Sequence, residues 1–294
     1  MSRSGLNHLP GASSYRFGDL RVTALSDGTI DADLAILRGI DLSEAARLLR
    51  EAGKPIPPRV SVNAYVLHLP TGPVLVDTGA GVALGPSLGR LQTSMRGAGI
   101  NPDDIVSVLL THAHPDHSNG LTDAQGHRFF AHAELVVHEK EREHWFDDAQ
   151  MMKASPRQRQ RNFEAVRFQF APYLDRLRLF RAGEIIPDVQ AVPLSGHTPG
   201  HSGYLVGTGK EALLIWGDTV HIPVVQIGQP DVSVVLDEDP NAAVVSRRRV
   251  LDMAASEGFV IAGMHVDFPG LARIHREKNG FAFEALARPD LEGE

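Results

Sequence analysis

The segment LLTHAHPDHSNG, residues 109–120, constrains this chain most, because a dense group of polar residues directly follows an apolar run. His112, His114, Asp116 and His117 all fall within this segment. The run from Asp104 into His112 is typical of a strand buried on both faces, so the polar residues lie where that strand ends. Imidazole and carboxylate groups crowded onto one turn indicate a metal site.

Composition narrows the chemistry of such a site. The chain has 294 residues and no cysteine, which excludes disulfides, thiolate ligands and cysteine nucleophiles. A formal net charge of −7 argues against a nucleic-acid binder, whose phosphate contacts require a basic face. The sequence shows no apolar run of membrane-spanning length and no signal-peptide core, so we expect a cytoplasmic protein without membrane attachment.

The alternation of apolar and amphipathic segments predicts two sheets between helical layers. Further strands are expected at 15–25, 62–69, 72–79, 189–194, 203–207, 211–218, 224–227 and 258–265. Helices are expected at 41–53, 86–100 and 241–257, with two more inserted between 139 and 178. Residues 1–14 are expected to be a flexible N-terminal arm and 15–294 a single domain.

Three of these apolar strands also end in residues that bind metals, namely His197, Asp218 and His265. Strand ends hold side chains in place while the following loop opens to solvent, so we expect these ends to converge with the first motif. Five histidines and two aspartates, without sulfur, suit two divalent metal ions, zinc in preference.

His112-x-His114-x-Asp116-His117, followed by the three later residues, resembles the ligand set of the metallo-β-lactamase superfamily. The resemblance runs from VLVDTG to MHVDFPG and implies an α/β fold, an αββα sandwich of two mixed β-sheets flanked by helices. It implies that His112, His114 and His197 hold one metal. Asp116, His117 and His265 would hold the other, and Asp218 would bridge the two.

The segments SGHTPGHSGYLV, WGDTVHIPVVQ, LDEDPNAA and HVDFPG are similar to the methyl parathion hydrolase branch, which includes lactone and aryl-ester hydrolases. This similarity implies a small, neutral ester substrate: a lactone or aryl ester first, with organophosphotriesters also hydrolysed. Asp77 resembles the family's buried aspartate, which orients metal ligands through hydrogen bonds. A plain turn or cap aspartate is the alternative at that position.

The same branch implies an apolar substrate pocket, with Leu84, Trp145 and Phe163 as wall candidates. Aromatic residues at helical spacing also pack in cores, which is the alternative for Trp145 and Phe163. Phe268 is a further pocket candidate. It follows His265 at a place where an anionic substrate would need a cation, so no anion anchor is expected beside the metals.

Two further histidines lie close to the expected ligands in sequence. His221, three residues after Asp218, could line the pocket or pack in the core. His201 is expected to hold the turn after HTPG and not to bind metal.

Two metal ions about 3.5–4 Å apart activate water for attack on carbonyl or phosphoryl centres, so metal-assisted hydrolysis is the expected reaction. Asp218 would bridge the metals, and Asp116 would accept or relay a proton to the leaving group. The alternatives are a glyoxalase II-like thioesterase using Arg273, Arg276 and Lys278, a β-lactamase, an iron-dependent redox enzyme and a non-catalytic metal-binding protein. A homodimer is an open alternative to a monomer.

Overall fold

The computed structural model describes residues 11–286. The fold begins with a hairpin of its first two strands. The strands in that range are β1 (Ala12–Phe17), β2 (Leu20–Asp31), β3 (Leu37–Arg38), β4 (Arg59–Leu69), β5 (Gly72–Val76), β6 (Ser107–Leu109), β7 (Glu134–His138), β8 (Leu177–Phe180), β9 (Gly183–Ile186), β10 (Val189–Pro193), β11 (Ser202–Val206), β12 (Leu213–Ile215), β13 (Ser233–Val234), β14 (Val260–Ala262), β15 (Leu271–Glu277) and β16 (Gly280–Ala285).

Most helices of the same range are short. They are α1 (Leu42–Glu51), α2 (Leu91–Gly97), α3 (Pro115–Ser118), α4 (Glu139–Trp145), α5 (Asp148–Lys153), α6 (Pro156–Gln158), α7 (Ala165–Phe170), α8 (Pro223–Gln226) and α9 (Pro240–Glu257). A π-helix, Arg159–Glu164, joins α6 to α7. None of the helices described is long and apolar enough to cross a lipid bilayer.

Two seven-stranded sheets form the centre of the fold. The first has the order β1-β2-β4-β5-β6-β7-β8, antiparallel from β1 to β5 and parallel from β5 to β8. The second has the order β16-β15-β14-β12-β11-β10-β9, in which only β12 and β14 are parallel. Both large sheets are mixed, as the resemblance implies.

Alternating side chains of neighbouring strand residues show how the layers stack. Val76 and Leu213 belong to the apolar cluster between the two sheets. Leu75 faces the other way, into the cluster that covers the first sheet with α2, α4 and α7. Leu214 likewise packs with Leu251 of α9 on the outside of the second sheet. Successive strand residues point to opposite faces of the sheet, so each central strand is buried on both faces. The expected αββα sandwich is confirmed.

The inserted region between β7 and β8 is more finely divided than the two helices predicted. The side chain of Asp147 accepts hydrogen bonds at the start of α5. Ser155 starts α6 with a capping box, in which its side chain bonds the backbone of Gln158 and the Gln158 side chain bonds back. N-capping residues favour new helix starts, so the chain is interrupted twice.

The strand predicted at 224–227 is wrong, because Pro223–Gln226 forms the helix α8. Proline at a first helical position has its φ already set for a helix. The side-chain oxygen of Gln226 also accepts hydrogen bonds from the backbone N–H groups of His221 and Ile222, at 2.7 and 3.0 Å. These bonds turn the chain tightly just before α8.

The predicted arm at 1–14 requires a correction as well. Residues 1–10 lie outside the described residues, but Ala12–Ser14 belong to β1 and pair antiparallel with Thr23–Leu25. The hydroxyls of Ser14 and Thr23 are 2.9 Å apart. Small polar residues concealed this strand in the sequence, although the ladder of β2 satisfies their backbone groups.

The topology brings the ends of five strands to one edge of the sandwich. Asp77 follows β5 and His112 follows β6, and these strands are parallel. In the second sheet β10, β12 and β14 share one direction, because β10 and β12 are both antiparallel to β11 and β14 is parallel to β12. These three strands are followed by His197, Asp218 and His265. The backbone N–H of Ser202 donates to the Thr111 carbonyl at 2.9 Å, which joins the two edges beside these residues.

Candidate metal centre

Three histidines form the first of two groups of candidate ligands. Nδ1 of His114 lies 3.1 Å from Nε2 of His112 and 2.9 Å from Nε2 of His197. All three side chains are buried. The three ring nitrogens therefore face one another across a space of atomic size.

The second group combines Asp116, His117, Asp218 and His265, whose ligand atoms lie within 4.8 Å of one another. Oδ2 of Asp116 is 3.6 Å from Nε2 of His117 and 3.5 Å from Nε2 of His265. The side chain of Asp116 is 27% exposed, whereas those of His117 and Asp218 are buried. One member of this group therefore has access to solvent.

The carboxylate of Asp218 lies between the two groups. Its Oδ2 is 3.6 Å from Nε2 of His112 and 3.3 Å from Nε2 of His197. Its Oδ1 is 3.1 Å from Nε2 of His117 and 3.2 Å from Nε2 of His265. Nε2 of His265 is also 3.2 Å from Oδ2, so it is equally close to both oxygens. The carboxylate as a whole lies between the two groups of histidines, which is the arrangement expected of a bridging ligand.

Asp77 orients two of these histidines from below. Its Oδ2 accepts a hydrogen bond from Nδ1 of His117 at 2.7 Å and another from the hydroxyl of Thr111 at 2.8 Å. Since Thr111 donates its only hydroxyl proton to Asp77, its oxygen accepts from Nδ1 of His112 at 3.1 Å. Asp77 has a φ of 59°, a conformation that aspartate tolerates better than most residues. Its geometry is that of an orienting carboxylate.

Two further acceptors complete this outer set. Nδ1 of His197 donates to Asp237 at 2.9 Å, and Nδ1 of His265 donates to the Ser61 carbonyl at 2.8 Å. The guanidinium of Arg247 lies 3.8 Å from the other oxygen of Asp237. Asp237 was not predicted as an orienting residue. Its only sequence signal was the segment LDEDPNAA, which is similar to the methyl parathion hydrolase branch.

The donor set fits divalent metal ions. Because Nδ1 donates to an oxygen, each of His112, His117, His197 and His265 in its neutral form presents a lone pair at Nε2. Within residues 11–286, Nε2 of His117 and Oδ1 of Asp218 are buried and have no hydrogen-bond partner. Buried lone pairs that face one another require a proton or a cation between them, and nitrogen and oxygen donors without sulfur suit zinc.

Electrostatics in the group reflect this crowding. Burial favours the neutral form of Asp218, but the surrounding imidazoles, led by His117 and His265, hold its pKa well below the ordinary value. Burial together with neighbouring imidazoles holds the pKa of His112 well below its ordinary value. Burial has the same tendency at His197, yet hydrogen bonds to Asp218 and Asp237 raise its pKa to about 9. The centre therefore combines an ionised carboxylate with imidazoles of unequal basicity.

His201 stands next to the group without joining it. Its Nδ1 donates to the Leu194 carbonyl at 3.0 Å, and its Nε2 accepts from the backbone N–H of Asp218 at 3.0 Å. Both ring nitrogens are therefore used by the backbone, in agreement with the expectation that His201 holds a turn. Gly217 has a φ of 55°, and a Cβ there would collide with the His201 ring. This glycine lets the chain turn tightly into Asp218.

A cavity of about 860 Å³ opens above the candidate ligands. Its apolar walls come from separate segments of the chain, and the residues are Ile30, Ile36, Val60, Val62, Leu84, Leu88, Val235 and Leu236. Asp116 and Asp218 lie at its inner end, so a molecule in the cavity would reach the candidate metal centre.

His221 also lines this cavity. Its ring stacks on that of His265 with the centroids 5.3 Å apart, and its Nε2 lies 3.2 Å from Oδ2 of Asp218. The sequence left open whether His221 lines the pocket or packs in the core. The ring does both, because it is buried and contacts the cavity.

Three of the expected pocket residues do not line the cavity. Trp145 is fully buried, with its ring edge against His114 and the centroids 5.4 Å apart. Phe163 packs on the far side of Trp145, at a centroid distance of 5.0 Å. Phe268 packs against the apolar cluster between the sheets. The wall prediction is wrong for these three residues. Trp145 and Phe163 are buried beneath the site, where large aromatic side chains remove the most area from water, and the half-buried Phe268 packs against the cluster between the sheets.

Two cationic side chains that were not predicted from the sequence also line the cavity. Arg157 and Arg161 project from α6 and the π-helix, on the segment inserted between β7 and β8. Both residues are exposed. The segment after His265 carries no cation, as expected, but the statement that the site lacks any anion anchor requires correction. The two cations reach the cavity because the inserted segment folds back over it.

Comparison with known proteins identifies the class. Residues 57–265 match the metallo-beta-lactamase superfamily, and this chain belongs to that superfamily. The N-acyl homoserine lactonase of Bacillus cereus is 25% identical over 170 residues, which cover 51% of this chain and 60% of the relative. The chain thus spans less than two thirds of that relative.

Two solved structures are similar over almost their whole length. The hydrolase AbOPH of the beta lactamase superfamily has a TM-score of 0.91 and 27% identity, and the match covers 97% of this chain and 100% of AbOPH. The dizinc quorum-quenching lactonase AidC has a TM-score of 0.88 and 23% identity, with 96% and 99% covered. The expected superfamily and fold are confirmed, and the relatives compared here are hydrolases.

Proposed function

We propose that this protein is a dinuclear metal-dependent hydrolase that opens neutral lactones, and that it also cleaves aryl esters and organophosphotriesters. One observation carries the proposal: the carboxylate of Asp218 lies between two groups of histidines at the inner end of a largely apolar cavity. A single bridging carboxylate with three further donors on either side matches the coordination needs of two zinc ions.

In this proposal His112, His114 and His197 would hold one ion, Asp116, His117 and His265 would hold the other, and Asp218 would serve both. When bound, such ions supply a water activated at neutral pH and polarise the carbonyl or phosphoryl group under attack. The hydrogen bonds of Asp77 and Asp237 keep the histidine rings oriented for this task.

Proton transfer falls to Asp116 in this proposal. Among the seven candidate ligands its side chain has the greatest access to the cavity, at 27% exposure. A carboxylate beside the reacting group can take the proton that the attacking water loses and deliver it to the departing alkoxide. The buried Asp218 is enclosed by imidazoles and serves to hold the metals.

The cavity walls support a neutral substrate with an apolar portion. Leu84, Leu88 and Val62 offer a surface on which an acyl chain or aromatic ring would be removed from water. Arg157 and Arg161 would then meet the polar end of the substrate, such as an amide or ester oxygen. The Bacillus cereus relative, an N-acyl homoserine lactonase, supports lactones as the first class to test.

The thioesterase alternative is weakened by the position of its candidate cations. Arg276 and Lys278 line a separate polar cavity at the turn between β15 and β16, and that cavity contains none of the candidate ligands. Arg273 donates to the carbonyl of Gly258, away from the centre. An anionic thioester of glutathione would therefore find these cations outside the metal cavity.

The test compares kcat/KM of zinc-loaded protein on dihydrocoumarin, an acyl-homoserine lactone, a paraoxon-type triester, a cephalosporin and S-lactoylglutathione. We expect lactone opening to be fastest. A preference for the glutathione thioester would assign the protein to a glyoxalase-like activity. A preference for the cephalosporin would mean that Arg157 and Arg161 anchor a substrate carboxylate.

A further inference from the structure

Glu141 is a buried carboxylate that lies beneath the metal centre without facing it. Its Oε1 accepts hydrogen bonds from the hydroxyl of Thr198 at 2.5 Å and the backbone N–H of Gly200 at 2.9 Å. Its Oε2 accepts from the backbone N–H of Ala113 at 2.9 Å and from the indole of Trp145 at 2.8 Å. All four partners donate, so the position suits a carboxylate, which only accepts.

These four partners join two loops that are distant in sequence. Ala113 stands between His112 and His114, whereas Thr198 directly follows His197. Glu141 therefore holds the backbone of the first motif and the backbone of the HTPG turn on the two oxygens of one side chain. All three histidines of the first candidate metal group lie within one residue of its backbone or hydroxyl contacts.

The indole of Trp145, which donates to Glu141, also contacts the candidate ligand His114. Among the hydrogen bonds of the described residues, none is made by Nε2 of His114, so no acceptor orients this ring from behind as in the other candidate histidines. The edge of Trp145 packs against the His114 ring at 63° and 5.4 Å instead. Because Trp145 is itself bonded to Glu141, the carboxylate orients His114 through an aromatic side chain.

The approach of Glu141 to the HTPG turn depends on the absence of a side chain at Gly200. A Cβ at Gly200 would lie 2.7 Å from the backbone nitrogen and 3.0 Å from Oε1 of Glu141. Real Cβ atoms essentially never make such contacts with backbone, so this glycine permits the close packing of α4 against the turn. The hydrogen bonds of Glu141 and the missing side chain at Gly200 thus both favour the contact between α4 and the HTPG turn.

We infer that Glu141 is a positioning residue for the three-histidine metal site, which sets the separation of the His114 and His197 loops. The inference rests on the metal centre of the proposed function, but it does not depend on the substrate. Loss of the carboxylate would loosen that one site, whereas His117 and His265 would keep their hydrogen bonds to Asp77 and to the Ser61 carbonyl.

The test is Glu141→Gln, with Glu143→Gln as the matched control on the exposed face of the same helix. An amide of the same shape places a donor against donors, so we expect binding of one metal equivalent to weaken about 10–100-fold. Titration of the apoprotein with Co²⁺, followed by its visible absorption, should show one tight and one weakened site, while the control keeps two tight sites. Thermal unfolding of the apoproteins measures any general loss of stability.

Unchanged affinity and an unchanged cobalt spectrum in Glu141→Gln would overturn the inference. Equal weakening of both sites together with a large loss of stability would also overturn it, because Glu141 would then serve the fold alone. If Glu141→Gln does not fold, Trp145→Phe keeps a smaller aromatic ring and removes one donor, and it should weaken the same site by a smaller factor. Unchanged binding in that variant would refute the indole link. A wild-type protein that binds two cobalt ions and opens no lactone would refute only the proposed substrate.

Discussion

The backbone N–H of Asp218 donates to Nε2 of His201 at 3.0 Å, so a histidine outside the candidate ligand set fixes the residue at its centre. The carboxylate of Asp218 faces both histidine groups, while His201 supports its backbone from behind. These two neighbours therefore have separable roles, one in holding metals and the other in holding the loop.

Substitution of each residue by alanine tests this separation. Asp218→Ala should lose both metals and activity, because five neutral imidazoles and the single carboxylate of Asp116 do not offset the charge of two divalent ions. His201→Ala should keep both metals and lose about 1–3 kcal/mol of stability, since the buried Leu194 carbonyl and Asp218 N–H lose their partner. Elemental analysis and thermal unfolding measure the two effects. Equal metal loss in both variants would place His201 among the ligands.

Asp77→Asn tests the carboxylate beneath the centre. The amide keeps the shape and tolerates the positive φ, but it offers one acceptor in place of two. We expect metal affinity to fall about 10–100-fold, because Asp77 accepts from Nδ1 of His117 and from both the hydroxyl and the backbone N–H of Thr111, and the new NH2 group would face at least one of these donors. Competition with a chromophoric chelator measures this affinity. Asp123→Asn, at an exposed turn bonded to His127, is the matched control, and equal effects in both variants would refute the orienting role.

Metal removal should inactivate and destabilise the protein together. Ions that bind only the folded chain add about 4 kcal/mol of stability when present at a thousandfold excess over Kd. We therefore expect chelation to lower Tm by about 5–15 °C. Readdition of zinc should restore Tm and activity at two equivalents per chain. A protein that stays active after complete metal removal would contradict the proposed mechanism.

His68 predicts a pH dependence away from the metal centre. Burial, together with the charge of Arg21, lowers the pKa of His68 to about 4. Its Nδ1 accepts from the Arg21 guanidinium at 2.8 Å, and its Nε2 lies 2.9 Å from the Thr23 hydroxyl. The unfolded chain binds the proton more readily, so acidification from about pH 6.5 to 4 destabilises the fold.

The comparison of wild type with His68→Gln isolates this contribution. Glutamine retains a hydrogen-bonding side chain but does not titrate, so the variant should lose less Tm than wild type between pH 7.5 and 4.5. Metal loss at low pH affects both proteins alike and cancels in the difference. Identical pH profiles would show that the half-buried His68 contributes nothing to the acid sensitivity.

Leu84→Ser tests the apolar wall of the cavity. Removing most of this side chain should cost a long acyl chain about 1–2 kcal/mol of binding, and thus reduce kcat/KM for a decanoyl lactone about tenfold. A butanoyl lactone should be affected little. Val82→Ser, on the same loop with Val82 84% exposed and outside the cavity, is the control. An equal loss on both chain lengths would mean that Leu84 does not contact the acyl chain.

The sequence was sufficient for the strands that lead into the candidate ligands, whereas no strand was predicted at β7, β8, β9, β15 or β16. Apolar runs specify buried strands, and His112, Asp218 and His265 each follow such a run within a few residues. Local pattern and local chemistry therefore coincide at these positions. The candidate ligands can therefore be predicted from local sequence, provided that the strand ends are expected to converge.

Two of the supporting carboxylates, Glu141 and Asp237, could not be recognised in this way. Glu141 lies in the charged segment KEREHW, where nothing in the pattern separates it from the exposed Glu143. Asp237 meets His197 only because the loop before α9 returns to the centre. The misassignment of Trp145 has the same origin, because burial beneath a site and exposure to its cavity produce the same aromatic spacing. Such roles depend on contacts between segments far apart in the chain.

The walls of the cavity and the candidate metal ligands come from different stretches of sequence. The ligands lie in short turns at strand ends, whereas Leu84 and Arg161 belong to a loop and an insertion outside those turns. Leu236 is the exception, because it adjoins Asp237, which accepts a hydrogen bond from His197. An ancestor with this architecture could exchange the segments around Leu84 and Arg161 and keep its ligand turns. Diversification toward new substrates would then proceed by replacing those two surface segments.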